Sequence, residues 1–271
     1  MKSALLSNIA IGPIRMKRWL FYAMIAIFAV LVLYMIYAIL VTPSKQPYRD
    51  ALAEYKNVYN ANVAVMSAGS SLNASTATDE QFAKNTKVVA NALTALQKEN
   101  EALGKESVLT SGEGKTYYDA FTKQLATYIA YNTNLLASME KVRPVVFNCS
   151  NRMANVTENA AGAAAIQACS ENFKNLATVP DKDYQQLVET SQQIYADFAT
   201  SLQAKADLKD PNGADAAQAK AYSNQQTQIL SDLSDASKTF STNLQKHRQD
   251  VDITDSAMAL DKYLTAKSNV L

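Results

Sequence analysis

The side chains best suited to metal or nucleophile chemistry are one histidine, two cysteines and a run of aspartates. Their spacing restricts each of them. His247 is the sole histidine of the 271-residue chain. Zinc takes three or four His, Cys or carboxylate ligands, which one imidazole cannot supply. Near a helix end, His247 is expected to be structural and favoured by the helix dipole. Asp250, Asp252, Asp255 and Asp261 have a faint likeness to a calcium loop. They lack the glycine at position six and the glutamate at position twelve that such a loop needs, so a solvated inter-helix loop is expected instead. A Ser–His–Asp triad has nothing local around His247 to support it. No cofactor, metal site or catalytic residue is expected.

Three shorter motifs fare no better. Residues 112–116 (Gly-Glu-Gly-Lys-Thr) end like a phosphate-binding loop. Leu109 stands where its first glycine belongs and no strand precedes it, so the stretch reads as a flexible linker with helix-starting residues. Ser138 and Lys141 have the S-x-x-K spacing of penicillin-interacting serine enzymes. Neither companion motif of those enzymes occurs, and an exposed helical face is expected there. Glu106 followed by Ser107 resembles the Glu–Ser pair of helical lysozyme-like transglycosylases, in which a carboxyl of raised pKa would serve as general acid. The Gly-Leu-Met-Gln stretch of that family is absent and 104–114 reads as an open loop. The expectation is a loop carboxylate of ordinary pKa, with glycan hydrolysis as the minor alternative.

Cys149 and Cys169 depend on where the chain is placed. Residues 19–41 carry no charge and no proline. As a helix they would rise roughly 34 Å, enough to cross a bilayer core. Lys2, Arg15, Lys17 and Arg18 precede or adjoin this run and no acidic residue accompanies them. That asymmetry keeps the N-terminus cytoplasmic, with Arg15, Lys17, Arg18, Trp19 and Tyr22 at the membrane interface. The run is too long for a signal peptide and ends in a poor cleavage site, which implies an uncleaved signal-anchor. The expected organisation is therefore a cytoplasmic segment (1–18), a transmembrane helix (19–41) and an extracytoplasmic domain (44–271). In that compartment Cys149 and Cys169 are expected to form a disulfide. One continuous helix would hold them about 30 Å apart, so the chain must double back between them. The expectation is a disulfide-clasped loop leading into a helix over 157–177, with Asn155 and Glu158 near its start.

The domain that must position these residues reads as all-α. Apolar residues recur every three or four positions over 47–73 (Tyr48, Leu52, Tyr55, Tyr59, Val63, Met66), over 78–103, and over 115–143, which Pro144 is expected to end. They recur again after Pro180 (Tyr184, Leu187, Ile194, Phe198, Leu202), over 214–249, and through Met258, Leu260 and Leu264. Thr78 and Gln81 suggest a capping box and Gly104 a left-handed C-terminal glycine. Each stripe needs a partner, which predicts an elongated antiparallel multi-helix bundle behind the N-terminal transmembrane helix. Most tyrosines, including Tyr117, Tyr128, Tyr131 and Tyr195, follow the stripes and read as core. A few at a bundle end are candidates to line a pocket. Asn73, Asn148 and Asn155 lie in N-x-[ST] triplets.

The formal charge of +1 hides an asymmetry: beyond residue 41 the chain holds 22 basic and 25 acidic side chains, a balance that excludes a nucleic-acid partner. The layout resembles that of many single-pass exported helical proteins, including sensor ectodomains. The expected function is that of a non-enzymatic, membrane-tethered interaction or scaffold protein that binds a protein or envelope partner and can self-associate as a homo-oligomer. The alternative is a helical ectodomain that senses a small molecule through a separate signalling subunit.

Overall fold

The computed structural model describes residues 8–11, 14–17, 27–33, 35, 45–72, 78–176 and 178–269. The chain divides into two compact units, Met1–Pro47 and Tyr48–Leu271. In the first, β1 (Asn8–Ile11) and β2 (Ile14–Lys17) pair antiparallel, Asn8 opposite Lys17 and Ile11 opposite Ile14. Residues 27–33 and 35 are helical. The rest of the expected transmembrane helix 19–41 lies outside the described residues. Among the described residues no helix is long and apolar enough to cross a membrane.

The second unit is all-helical: α1 (Gln46–Ser70, entering from the first unit), α2 (Asp79–Leu103), α3 (Gly112–Ala154), α4 (Ala160–Asn175), α5 (Lys182–Ala206), α6 (Ala216–Asp250) and α7 (Thr254–Asn269). Local chemistry sets most of the ends. Thr78 caps α2 by accepting a hydrogen bond from the Gln81 N–H at 3.2 Å. The Gln81 side chain donates to Asn85 instead of reaching back, so the capping box closes on one side only. Asn159 caps α4 through Gly162 N–H. Asp181 caps α5 through two backbone N–H groups at 3.0 Å. Asp252 accepts from both the N–H and the hydroxyl of Thr254 at the start of α7.

Two expectations about helix ends are corrected. Gly104 does end α2 as expected, but it is right-handed (φ −65°), not left-handed. A Cβ there would lie 2.3 Å from the Tyr118 hydroxyl, which donates to the Asn100 carbonyl at 2.9 Å. Glycine is needed for close approach rather than for a positive φ. Pro144 does not end α3, which continues for ten more residues. Proline removes one N–H and frees the carbonyl one turn back, at Glu140. Glu140 and Pro144 are both exposed, so water can satisfy that carbonyl and the helix survives.

The helices enclose two cores rather than one. The first gathers Ala51, Tyr55 and Val58 of α1, Val89, Leu93 and Leu96 of α2, Phe121 and Leu125 of α3, and Leu260 and Leu264 of α7. The second gathers Val142 and Cys149 of α3, Ile166 and Phe173 of α4, Val188, Phe198 and Leu202 of α5, and Ile229 of α6. Each is thus built from four helices, and the 43-residue α3 belongs to both. Full burial of one such Leu or Phe stabilises by roughly 1.5–3 kcal/mol. The α1 stripe is rotated from its expected face. Ala51, Tyr55, Val58, Val65 and Ala68 point inward, while Tyr59, Val63 and Met66 are exposed. Met258 is likewise exposed on α7.

Candidate functional site

Of the expected interface residues, Arg15 and Lys17 lie in β2, opposite Ala10 and Asn8. Arg18, Trp19 and Tyr22 lie outside the described residues. Cys149 and Cys169 are disulfide-bonded with Cα atoms 5.5 Å apart. The bridge does not clasp a loop as expected. Cys149 is inside α3 and Cys169 inside α4, so the bond ties together two helices of a hairpin whose turn is residues 155–159.

The motif residues are placed apart from one another. Ser138 is fully buried, contrary to the expected exposed face, and its Oγ accepts from the Asp181 N–H at 2.8 Å. Lys141 is exposed, so the two form no dyad. Residues 112–116 form the first turn of α3, where Gly112 has φ +61°. His247, in the last turn of α6, has Nδ1 2.5 Å from Oδ2 of the buried Asp183 in the first turn of α5. The Asp183 carboxylate thus sits at the positive end of the α5 dipole. No serine hydroxyl reaches this imidazole among the described residues, so the pair is not extended to a triad. No group of three or more His, Cys, Asp or Glu side chains there could hold a metal ion.

Glu106 departs from expectation. It precedes a 3-10 turn (Ser107–Leu109). Its carboxyl is pushed above the usual range, first by burial and then by the carboxylates of Asp50 and Glu54 on α1. A like-charge cluster beside a partly covered acid produces that direction without a partner for catalysis. Tyr55, Tyr195 and Tyr263 are buried in the cores, whereas Tyr59 is exposed. Burial, followed by Asp261, pushes Tyr55 up to about 12, and its hydroxyl donates to the Ala257 carbonyl at 2.9 Å. Burial, followed by Asp181, also raises Tyr184, which packs edge-on against Phe240 at 4.7 Å.

Of the clefts among the described residues of the second unit, two larger ones bear on the site, and neither has a tyrosine in its wall. One, of about 470 Å³ between α5 and α6, sets Asp183, Asp197, Asp232 and Asp235 around Leu187, Ile194 and Phe240. The other, of about 670 Å³, lies where α3 turns into α4. Phe147, Asn148, Asn151 and Arg152 supply its α3 wall, Asn155 the start of the turn, and Ala161, Gly162 and Ala165 its α4 wall. Arg152 donates from Nε to Asn148 Oδ1 at 2.8 Å and from Nη1 to the Ala165 carbonyl at 3.4 Å. Two of the three sequon asparagines, Asn148 and Asn155, therefore line this cleft. Asn73 lies outside the described residues.

At the rim of the same cleft, Asp79 at the start of α2 pairs with the buried Arg143. The Arg143 guanidinium lies over Phe82 at 4.7 Å and Phe147 at 5.4 Å. The sequence reading missed this wall because it ended α3 at Pro144. Continued as a helix, positions 144, 147, 148, 151, 152 and 155 fall on one face, a signal the residues carry.

No family model matches the chain, and neither a curated protein nor a solved structure matches it.

Proposed function

We propose that this chain is a non-enzymatic interaction protein tethered to a membrane, with its helical unit outside the cytoplasm and α1 as its contact surface. The observation that carries the reading is the exposed row Tyr59, Val63 and Met66, the first and last of which keep 57% and 55% of their surface. With the half-buried Leu52, these positions repeat at the seven-residue interval of a coiled-coil seam. Large apolar side chains aligned on one helix face favour a partner helix over water.

The tether is supported by the N-terminal run. Ile27, Phe28, Val30, Leu31, Leu33 and Met35 are each more than half exposed, an arrangement that suits lipid better than water. Two copies anchored through the same end would present their α1 helices side by side and parallel, at high effective concentration in the membrane plane. The partner is therefore a second copy of the chain.

The test is photo-crosslinking in native membranes with p-benzoylphenylalanine in place of Met66, and in place of Thr94 on α2 as an off-surface control. A dimer band from position 66 alone is the expected result. Crosslinks from position 66 to a different protein would keep the surface and replace the partner. Monomer alone from position 66, or equal dimer from both positions, would remove α1 as the contact surface.

A further inference from the structure

We infer that the α3–α4 cleft is a binding site for a small carboxylate, with Arg152 as the group that recognises its charge. This site is separate from the α1 surface and does not depend on it. The cleft's volume of about 670 Å³ lies within the range of small-molecule sites. Its wall holds one guanidinium whose protein partners are both neutral, an amide oxygen and a backbone carbonyl. Among the described residues Nη2 of Arg152 has no hydrogen-bond partner. The other charged residue of the wall, Asp79, is already paired with Arg143. The net charge offered to a ligand is thus positive.

Further features point to the same chemistry. The cleft meets the first turn of α4 at Ala161 and Gly162, the positive end of that helix dipole. A Cβ on Gly162 would sit 1.8 Å from the Thr157 carbonyl oxygen, so glycine lets the turn close tightly here. The exposed Asn151 side chain makes no hydrogen bond among the described residues and stands one turn from the Asn148 and Asn155 amides. Phe147 and Val156 supply apolar surface for a carbon skeleton. One guanidinium suits a single carboxylate, which it can grip through two N–H groups, whereas a multiply charged phosphate would call for more cations. The walls are fixed before any ligand arrives. The disulfide joins Cys149, next to Asn148, to Cys169, one turn from Ala165, and Lys205 of α5 pairs with Glu158 of the turn at 2.6 Å. Such preorganisation lowers the cost of binding.

The experiment is isothermal titration calorimetry of the oxidised full-length chain in detergent with acetate, succinate, L-glutamate and benzoate, each set against its neutral amide. The expected result is saturable one-to-one binding of at least one carboxylate and none of the matching amide. Loss of a charge-assisted pair should weaken it about tenfold or more in Arg152→Gln. Asn151→Ala should weaken it a few-fold with an unchanged melting temperature, which separates recognition from folding. Three results would each overturn the inference: no saturable heat from any of the four, equal binding of acid and amide, or an Arg152→Gln affinity equal to that of the parent.

Discussion

The two cores share α3 and are closed by different means. Around α1, α2, the first half of α3 and α7, closure is by rings. Tyr55 packs edge-on against Phe121 with centroids 6.2 Å apart, Tyr117 stacks on Tyr263 at 4.9 Å, and Tyr48 meets Tyr263 at 6.1 Å. Around the second half of α3, α4, α5 and α6, closure combines two ring pairs, Phe173 on Tyr195 at 5.4 Å and Tyr184 edge-on to Phe240 at 4.7 Å, with a covalent bond and buried polar anchors. Ser138 holds Asp181, Ser170 donates to the Gln192 carbonyl at 2.9 Å, and Asp183 meets His247. Apolar packing is non-directional and tolerates adjustment, whereas a disulfide and a satisfied polar network fix relative position. The disulfide-tied core is the one whose helices wall the Arg152 cleft, and the ring-closed one carries the exposed α1 row.

The largest expected effect tests the ring-closed core. Phe121 is almost fully buried at its centre and touches Tyr55. Phe121→Ala should cost about 4 kcal/mol, the transfer term plus the cavity it leaves. Hydrogen exchange should show faster opening in α1, α2 and α7 than in α4 and α5. Uniform loss of protection across all the helices would mean that α3 couples the two cores into one cooperative unit.

Next is the covalent closure of the other core. Removing the bridge, by reduction or by the Cys149→Ala, Cys169→Ala double variant, should cost about 3 kcal/mol for a loop of this length. The readout is thermal unfolding with and without reductant. Protection should fall first at the α3–α4 turn, with α1 and α2 unaffected. An unchanged melting temperature would mean that the polar anchors alone hold this core.

The sequence revealed the two cores unequally. The apolar stripes that build them, such as Leu93 and Leu96 or Phe198 and Leu202, are legible because a helix repeats them at short range. What joins the helices is long-range. His247 finds Asp183, and Arg143 finds Asp79, each across 64 positions. No spacing rule contains such pairs. The cleft was hidden for a local reason. Proline disfavours the helical conformation in the residue before it, and only the solvent exposure of Glu140 and Pro144 makes the continuation of α3 inexpensive. With that helix ended eleven residues early, Phe147, Asn148, Asn151 and Arg152 could not be read as one face. On α1 the stripe was legible but its orientation was not, because Tyr59, Val63 and Met66 match the helical period as well as the residues that are buried.

The smallest expected effect concerns charge at the edge of the ring-closed core. The folded protein raises the Glu106 carboxyl through burial and through Asp50 and Glu54, so its ionised form is disfavoured relative to the unfolded chain. The resulting penalty is present at neutral pH. It fades as pH falls through the raised folded value and is gone below the unfolded value near 4.5. Glu106→Gln removes the charge and should therefore stabilise at pH 7 by a few tenths of a kcal/mol, the scale of exposed like-charge contacts. At pH 4 the gain should vanish, since the parent carboxyl is then largely protonated in the fold. Paired chemical denaturation curves at the two pH values measure both quantities. A loss of stability at pH 7 would mean that Glu106 accepts a hydrogen bond that outweighs the repulsion, and would reverse the account of why its pKa is raised.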